Sequence, residues 1–205
     1  EVIIKTKNQE KVKRLVLLGL LTAVLLIMSY TPLGYLNIGP LAITLNVIPV
    51  AIAAISLGPV GGAVMGAVFG LTSFLQCIGV GGMSAMGAIL FEINPVLAFL
   101  QRFVPRVLMG LLAGLIYKGL SKIDKPKIAC FITGFSSAFL NTLLFMSALI
   151  LLFGNTDYVK ELVDGKNIIV FICSFVGVNA VFEMIASTLI TGAVGVALKK
   201  ARLIK

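Results

Sequence analysis

Long apolar runs, separated by short polar or turn-rich stretches, dominate this chain. Six of these runs approach or exceed the roughly 20 residues that a helix needs to cross a bilayer. They cover residues 15–30, 41–57, 60–77, 96–120, 128–153 and 168–198. The pattern predicts an all-α membrane protein with six transmembrane helices.

Composition supports a single integral membrane domain. The chain has 205 residues, of which 59% are hydrophobic and only 12% are charged. This leaves no room for a separate soluble domain, so residues 1–205 are expected to form one unit, with residues 1–14 as a cytoplasmic segment. The first run is expected to be a true span rather than a cleaved signal peptide, because no small-residue cleavage site follows it.

The distribution of basic residues predicts the orientation. Thirteen of the 17 lysines and arginines fall before the first run, between Lys118 at the end of the fourth run and the start of the fifth, or after the sixth. With six spans these three places lie on one side, so the positive-inside rule predicts that both termini are cytoplasmic. The net charge of +9 is therefore an orientation signal and does not indicate nucleic-acid binding.

Turn-forming residues mark two segments on the predicted outer side and one tight turn on the inner side. Residues 31–40 contain two prolines and two glycines, and residues 79–95 are glycine-rich and too short to span. Both outer segments are expected to cap an outward-facing pocket, although residues 79–95 could instead form a plug between helices. The pair Gly58-Pro59 predicts a tight hairpin between the second and third runs.

Small residues recur at every fourth position in three of the apolar runs. Such spacing places them along one helical face and allows another helix to approach closely. The members are Gly58, Gly62, Gly66 and Gly70 in the third run, Gly110 and Gly114 in the fourth, and Gly19 and Ala23 in the first. Packing within the chain is the ordinary explanation for each, but three such faces suggest that at least one meets a partner.

Polar residues inside the apolar runs are the candidates for function. A charge at the bilayer centre costs roughly 2.5 to 3.5 kcal/mol on insertion scales, so it must face a protein interior, a partner or a wet cavity. The fourth run carries Arg102 and Arg106, and the last two runs carry Asn141, Asn179 and Glu183. They could line an outward-opening pocket, with arginine holding a carboxylate or phosphate-like group, or Arg106 and Glu183 could pair only to lock helices together.

Residues nearer the outer surface could complete such a pocket. Tyr35, Gln76 and Asn94 lie at the expected outer ends, and phenylalanines at 99, 103, 145 and 182 could supply apolar walls. By depth, Gln76, Asn94 and Arg102 are the better ligand candidates. The deeper polar residues could form the floor of the pocket or a locking network beneath it.

Catalysis is not indicated by the sequence. The chain has no histidine, no second deep carboxylate to pair with Glu183, and no phosphate-binding loop for ATP. The three cysteines are unclustered, so neither a disulfide framework nor a metal site is suggested. We expect a protein that is not an enzyme and needs no metal or cofactor of its own.

The apolar runs carry motifs that resemble a known family. The stretch ITLNVIPVAIAAISLGPVGGAVMGAVFGLTSFLQC at residues 43–77 and FEINPVLAFLQRFVPRVLMGLLAGLIYKGL at residues 91–120 are similar to substrate-binding membrane subunits of energy-coupling factor (ECF) transporters, which are called S components. The resemblance implies high-affinity binding of a vitamin from outside the prokaryotic plasma membrane. It also implies docking on a transmembrane coupling protein with two cytoplasmic ATPases, which use the ATP. Gly19 and Ala23 match the small residues that contact the coupling protein in that family.

The vitamin itself is less sharply indicated. The NP and PR patterns of the fourth run look most like subunits assigned to pantothenate, whose carboxylate would suit Arg102 or Arg106 and whose amide and hydroxyls would suit the asparagines. Riboflavin, folate, a hydroxymethylpyrimidine precursor and pyridoxine stay open as alternatives, because one fold hosts many ligands. A stand-alone secondary transporter is a further alternative, although the inverted repeats expected of one are weak here.

Overall fold

The computed structural model describes residues 2–32, 34–37, 42–122, 126–165 and 167–201. A short antiparallel ribbon connects the first two helices, with β1 at Tyr35–Asn37 paired to β2 at Ala42–Thr44. The helices are α1 (Val2–Ser29), α2 (Val47–Leu75), α3 (Ala85–Ile93), α4 (Pro95–Leu120), α5 (Pro126–Phe153), α6 (Asp157–Val163) and α7 (Ile168–Lys200), with a 3-10 turn at Gln76–Ile78.

Helices are the expected outcome for these apolar runs, because a lipid-facing backbone must satisfy its own hydrogen bonds. In the described ranges, five continuous helices are long and apolar enough to cross a membrane. These candidate spans are Gln9–Ser29, Val47–Ile78, Pro95–Leu120, Lys127–Phe153 and Val176–Lys200. The predicted helical fold with several candidate membrane spans is therefore confirmed.

The helix α2 reverses direction near its middle. Gly58 has φ 80° and ψ −168°, which only glycine adopts easily, and Pro59 follows it. A Cβ placed on Gly62 would lie 3.0 Å from the Cβ of Ala54, whereas residues eight apart in a straight helix are separated by about 12 Å. The two arms of α2 thus fold back on each other, as the Gly58-Pro59 pair predicts.

The second arm of α2 packs against α4 with almost no side chain between the two backbones. A Cβ on Gly62 would lie 2.2 Å from the carbonyl oxygen of Gly110, and one on Gly66 would lie 2.2 Å from that of Arg106. The small-residue faces of the third and fourth runs therefore meet each other inside the protein. By contrast, a Cβ on Gly19 would meet nothing within 4 Å, so the small-residue face of α1 stays open.

The two ends of the molecule differ in character. One end carries the ribbon, α3 and α6, and we call it the cavity end. The opposite end carries the N-terminus of α1 and the connection between α4 and α5, and we call it the lysine end. Exposed lysines lie at this end, one of them at the tip of α7. They are Lys11, Lys13, Lys118, Lys122, Lys127 and Lys200.

Two short helices at the cavity end were not predicted. The segment expected to be a loop at residues 79–95 contains α3, and the acidic connection after α5 contains α6. Hydroxyl caps start both of them: Ser84 Oγ accepts from the N–H of Gly87, and Thr156 Oγ1 accepts from that of Val159. Their apolar faces pack into one cluster with the ends of α4 and α5, which contains Met86, Leu90, Ala98, Met146, Leu149, Phe153 and Val159.

We expect Gly66→Ala to destabilise the protein strongly, because the added methyl group would overlap the carbonyl oxygen of Arg106. Overpacking of this kind costs roughly 1–3 kcal/mol or more. The matched control is Gly19→Ala, where the methyl group enters open space. Thermal unfolding followed by circular dichroism in detergent should show a lower midpoint for G66A alone. Equal midpoints would contradict the backbone contact between α2 and α4.

Candidate functional site

A cavity of about 620 Å³ opens at the cavity end among α1, α3, α4, α5 and α7, beside the 3-10 turn that follows α2. Its walls mix polar and apolar groups, and the loop at residues 81–84 and Thr44 of β2 lie along its edge. Six of the residues predicted from the sequence line it: Gln76, Arg102, Arg106, Asn141, Asn179 and Glu183. The structure thus brings together groups from α4, α5, α7 and the 3-10 turn, which are far apart in the sequence.

Two arginines form the cationic side of the cavity around one aromatic ring. Arg102 and Arg106 are one turn apart on α4 and are only 6% and 4% exposed. Their guanidinium carbons lie 5.2 Å and 4.9 Å from the centroid of Phe145, and that of Arg106 also lies 4.7 Å from the centroid of Phe69. Cation–π attraction offsets part of the cost of burying these charges.

Hydrogen bonds fix the direction of both guanidinium groups. Arg106 Nη1 donates to the carbonyl oxygen of Arg102 at 2.9 Å, and Arg102 Nη2 donates to Ser84 Oγ at 3.3 Å. A Cβ on Gly87 would lie 3.0 Å from Arg102 Nη2, so the bare glycine leaves room for that arginine. The Nε–H of Arg102 has no hydrogen-bond partner among the described residues. It remains available to an acceptor in the cavity.

The other side of the cavity is formed by a carboxylate with its amide neighbours. Glu183 is 6% exposed, and its Oε1 accepts the backbone N–H of Thr44 at 2.7 Å. Asn141 forms a side-chain hydrogen bond to Glu183, and its own Oδ1 has no partner within the described part of the chain. Asn179 lies one turn from Glu183 along α7. Arg106 acts on Glu183 electrostatically, so the locking role considered for that pair involves Thr44 and Asn141 as well.

Gln76 has a structural contact that the sequence did not suggest. Its Nε2 donates to the carbonyl oxygen of Ser29 at 2.8 Å, and Ser29 Oγ donates to Thr72 Oγ1 at 3.3 Å. These bonds tie the end of α1 to the second arm of α2. Gln76 therefore borders the cavity while its amide nitrogen satisfies the last turn of α1.

Asn94 and Tyr35 differ from the other predicted site residues. Asn94 is not among the described residues that line the cavity, and its Oδ1 accepts the N–H groups of Val96 and Leu97 at 3.0 and 3.1 Å. It is the N-cap of α4, with Pro95 at the first helical position. Tyr35 lies in β1, but its side chain is outside the described part of the structure.

Of the predicted apolar walls, only Phe145 lines the cavity among the residues that the structure describes. Phe99 and Phe103 stack on each other with centroids 5.0 Å apart, and Phe74 meets Phe99 edge-on. Phe182 is 56% exposed, as expected for a lipid-facing side chain.

Several lining residues were missed because their sequence signal is weak. Thr44, Ser84 and Thr142 border the cavity, but serine and threonine are common in apolar helices and turns, where they often bond to nearby backbone. The contact of Gly81 was also missed: its φ is 75°, and a Cβ there would lie 1.9 Å from the ring of Tyr30. The loop can lie flat against this tyrosine only with glycine at that position.

The short helix α6 also approaches the cationic side of the cavity. Partial burial raises the pKa of the Tyr158 hydroxyl, and the positive charge of Arg102 partly opposes this rise. The same helix buries Val159 against Leu90 and Phe153. Arg102 thus lies near the apolar cluster that α3 and α6 share.

Comparison with known proteins agrees with this geometry. The chain is 27% identical to the pantothenic acid transporter PanT of Lactococcus lactis over 95% of its own length and 98% of the relative's. It is also 27% identical to the pantothenate transporter PanT of Leuconostoc mesenteroides, covering 92% and 93% of the two chains. Residues 13–195 match the family described as ECF transporter, substrate-specific component. The chain therefore belongs to the family of substrate-specific components of ECF transporters.

Proposed function

We propose that this chain binds pantothenate at the outer face of a prokaryotic cell membrane and delivers it to the cytoplasm as the substrate-binding subunit of an ECF transporter. The observation that carries the proposal is the cavity, where two buried arginines face a carboxylate and two asparagines. Two relatives named as pantothenate transporters, each matched over nearly the whole chain, support the same ligand.

The chemistry of the cavity suggests how pantothenate is oriented. Its carboxylate would lie beside Arg102 and Arg106, because guanidinium groups bind carboxylates with two parallel hydrogen bonds. The amide and two hydroxyls would then reach Asn141 and Asn179 on the opposite side. Glu183 already accepts hydrogen bonds from Thr44 and Asn141, and its charge would repel a ligand bound in the reverse direction.

We propose six transmembrane helices in one domain, with both termini in the cytoplasm. Counting the two arms of α2 separately turns five continuous helices into six. The lysine end would then face the cytoplasm, in accordance with the positive-inside rule. The ribbon strands at residues 35–37 and 42–44 and the segment at residues 79–95 would lie outside, and Thr44 and residues 81–86 line the cavity there.

The exposed face of α1 fits the docking surface for a transmembrane coupling protein, to which two cytoplasmic ATPases would bind. Gly19 and Ala23 are exposed, and the apolar neighbours Leu15, Val16 and Leu20 are 60–67% exposed. The other small-residue stripes are covered inside the protein, so this one remains for a partner. Close approach of another helix here would follow the small-xxx-small rule for membrane interfaces.

We expect Arg102→Gln and Arg106→Gln each to weaken pantothenate binding at least tenfold, or about 1.4 kcal/mol, because each removes a charge from the carboxylate site. Equilibrium binding of radiolabelled pantothenate to purified protein measures this. Pantothenol, which carries an alcohol in place of the carboxylate, should bind wild type weakly and lose little further affinity in the variants.

Lys160→Gln is the matched control, since this exposed cation lies on α6 near the cavity end without lining the cavity. Its affinity should equal that of wild type. If both arginine variants bind pantothenate normally while folded, or if the purified protein carries riboflavin or folate by mass spectrometry, the substrate assignment is wrong.

We expect Gly19→Leu and Ala23→Leu to keep pantothenate binding while abolishing uptake by the assembled transporter. Neither side chain would clash within this chain, because a Cβ at Gly19 meets nothing and Ala23 is exposed. Copurification of the ATPases and uptake into vesicles with ATP inside measure assembly and transport. Ala197→Leu, an exposed position on α7, is the control. Loss of binding in G19L would instead indicate that this face packs internally.

A further inference from the structure

Glu183 is the point at which the cavity wall meets the ribbon. Its Oε1 accepts the backbone N–H of Thr44 at 2.7 Å, across 139 residues of sequence. Glu183 and Thr44 are 6% and 8% exposed, so little water competes for the bond. A buried hydrogen bond from an amide to a carboxylate is among the stronger kinds of hydrogen bond in proteins.

The position of Thr44 controls the whole ribbon. Thr44 pairs with Tyr35 in the antiparallel register, so fixing one strand fixes the other. The base of the ribbon is closed by the N–H of Leu45, which donates to the carbonyl oxygen of Gly34 at 3.0 Å. Gly34 itself lies against the carbonyl group of Met28, where a Cβ would come within 2.1 Å. The ribbon is therefore attached to α1 at its base and to α7 through Thr44.

The same carboxylate also faces the part of the cavity assigned to the amide and hydroxyls of the ligand. Asn141 bonds to Glu183 and has an Oδ1 without a partner in the described residues. Both residues line the cavity, so a bound ligand lies beside the carboxylate that holds Thr44. The loop at residues 81–84 is held less strongly. Arg102 Nη2 donates to the neutral hydroxyl group of Ser84, at 3.3 Å.

We infer that Glu183 is a positioning residue that holds the Thr44 end of the ribbon against the cavity by accepting the N–H of Thr44, so that it governs how slowly bound ligand leaves. The inference rests on the proposed function for the identity of the ligand. It assigns Glu183 to the retention of Thr44 at the cavity wall, whereas Arg102 and Arg106 hold the carboxylate of the ligand.

The test uses the purified full-length chain in lipid nanodiscs, with Glu183→Ala, Glu183→Gln, Thr44→Pro, Thr44→Val and the double variant T44P/E183A. Proline removes the donating N–H, and an N–H that points away from its partner strand is a position where a strand tolerates proline. T44V keeps the N–H and loses the hydroxyl, so the effect of T44P is measured relative to T44V. E183Q keeps an acceptor oxygen without the charge.

Dissociation and association of radiolabelled pantothenate are measured separately. E183A and T44P should each release pantothenate about tenfold faster, with association changed less than threefold and E183Q between E183A and wild type. The double variant should be no faster than the quicker single variant, because both changes break the same bond. The inference is overturned if T44P releases pantothenate at the rate of T44V, or if the two effects multiply.

A second measurement needs no ligand. Chymotrypsin cleavage after Tyr35 or Leu36, identified by fragment mass, should be about tenfold faster in ligand-free E183A and T44P than in wild type. Failure of wild type to bind pantothenate would refute the proposed ligand, while the cleavage rates would still test whether Glu183 holds the ribbon. Equal cleavage rates in all folded variants would overturn the inference about Glu183. If E183A does not yield monodisperse protein, the release rate and the cleavage rate are measured on T44P and E183Q instead.

Discussion

The direct contact between the backbones of α2 and α4 is the constraint on which the site depends. Gly66 brings its helix against the carbonyl group of Arg106, and Gly62 and Gly110 meet in the same way one turn further along. Because no side chain fills the gap, α4 cannot shift or rotate without a collision. The two arginines on the neighbouring face of α4 are thereby held at the cavity, and neither has to move to reach it. Pre-organisation of this kind lowers the cost of ordering a charged site when ligand binds.

The cavity separates its charges without neutralising them completely. Arg102 and Arg106 share the ring of Phe145, while the carboxylate of Glu183 bonds to Thr44 and Asn141. Buried ions of opposite sign that paired only with each other would give a stable core with little affinity for a ligand. Here neutral or aromatic groups stabilise each charge. The charged groups can therefore still bind a molecule with an anionic end and a neutral polar end.

Much of this arrangement could be predicted from the sequence, because charged and amide residues are rare inside apolar runs and must converge somewhere. Their rarity predicts that Arg102, Arg106, Asn141, Asn179 and Glu183 share one site. The hydrogen-bond partners of these residues are not predictable in this way. The donor to Glu183 is a backbone N–H, which leaves no trace in residue identity, and Gln76 is bonded to a backbone carbonyl group for the same reason. Asn94 stands before proline at a helix start, a pattern that equally describes a cap and a ligand group, and it caps α4. The helices α3 and α6 were hidden because they are shorter than the window over which periodicity is reliable.

The reversal at Gly58 has a consequence for every residue that follows it. Successive helices of such a bundle run in opposite directions. One additional reversal therefore inverts the direction of every later helix. Had α2 continued straight through residue 58, the start of α4 with Arg102 would lie at the end opposite to Ser29, and Glu183 could not reach Thr44. A single glycine with a positive φ angle thus determines whether these residues meet in one cavity.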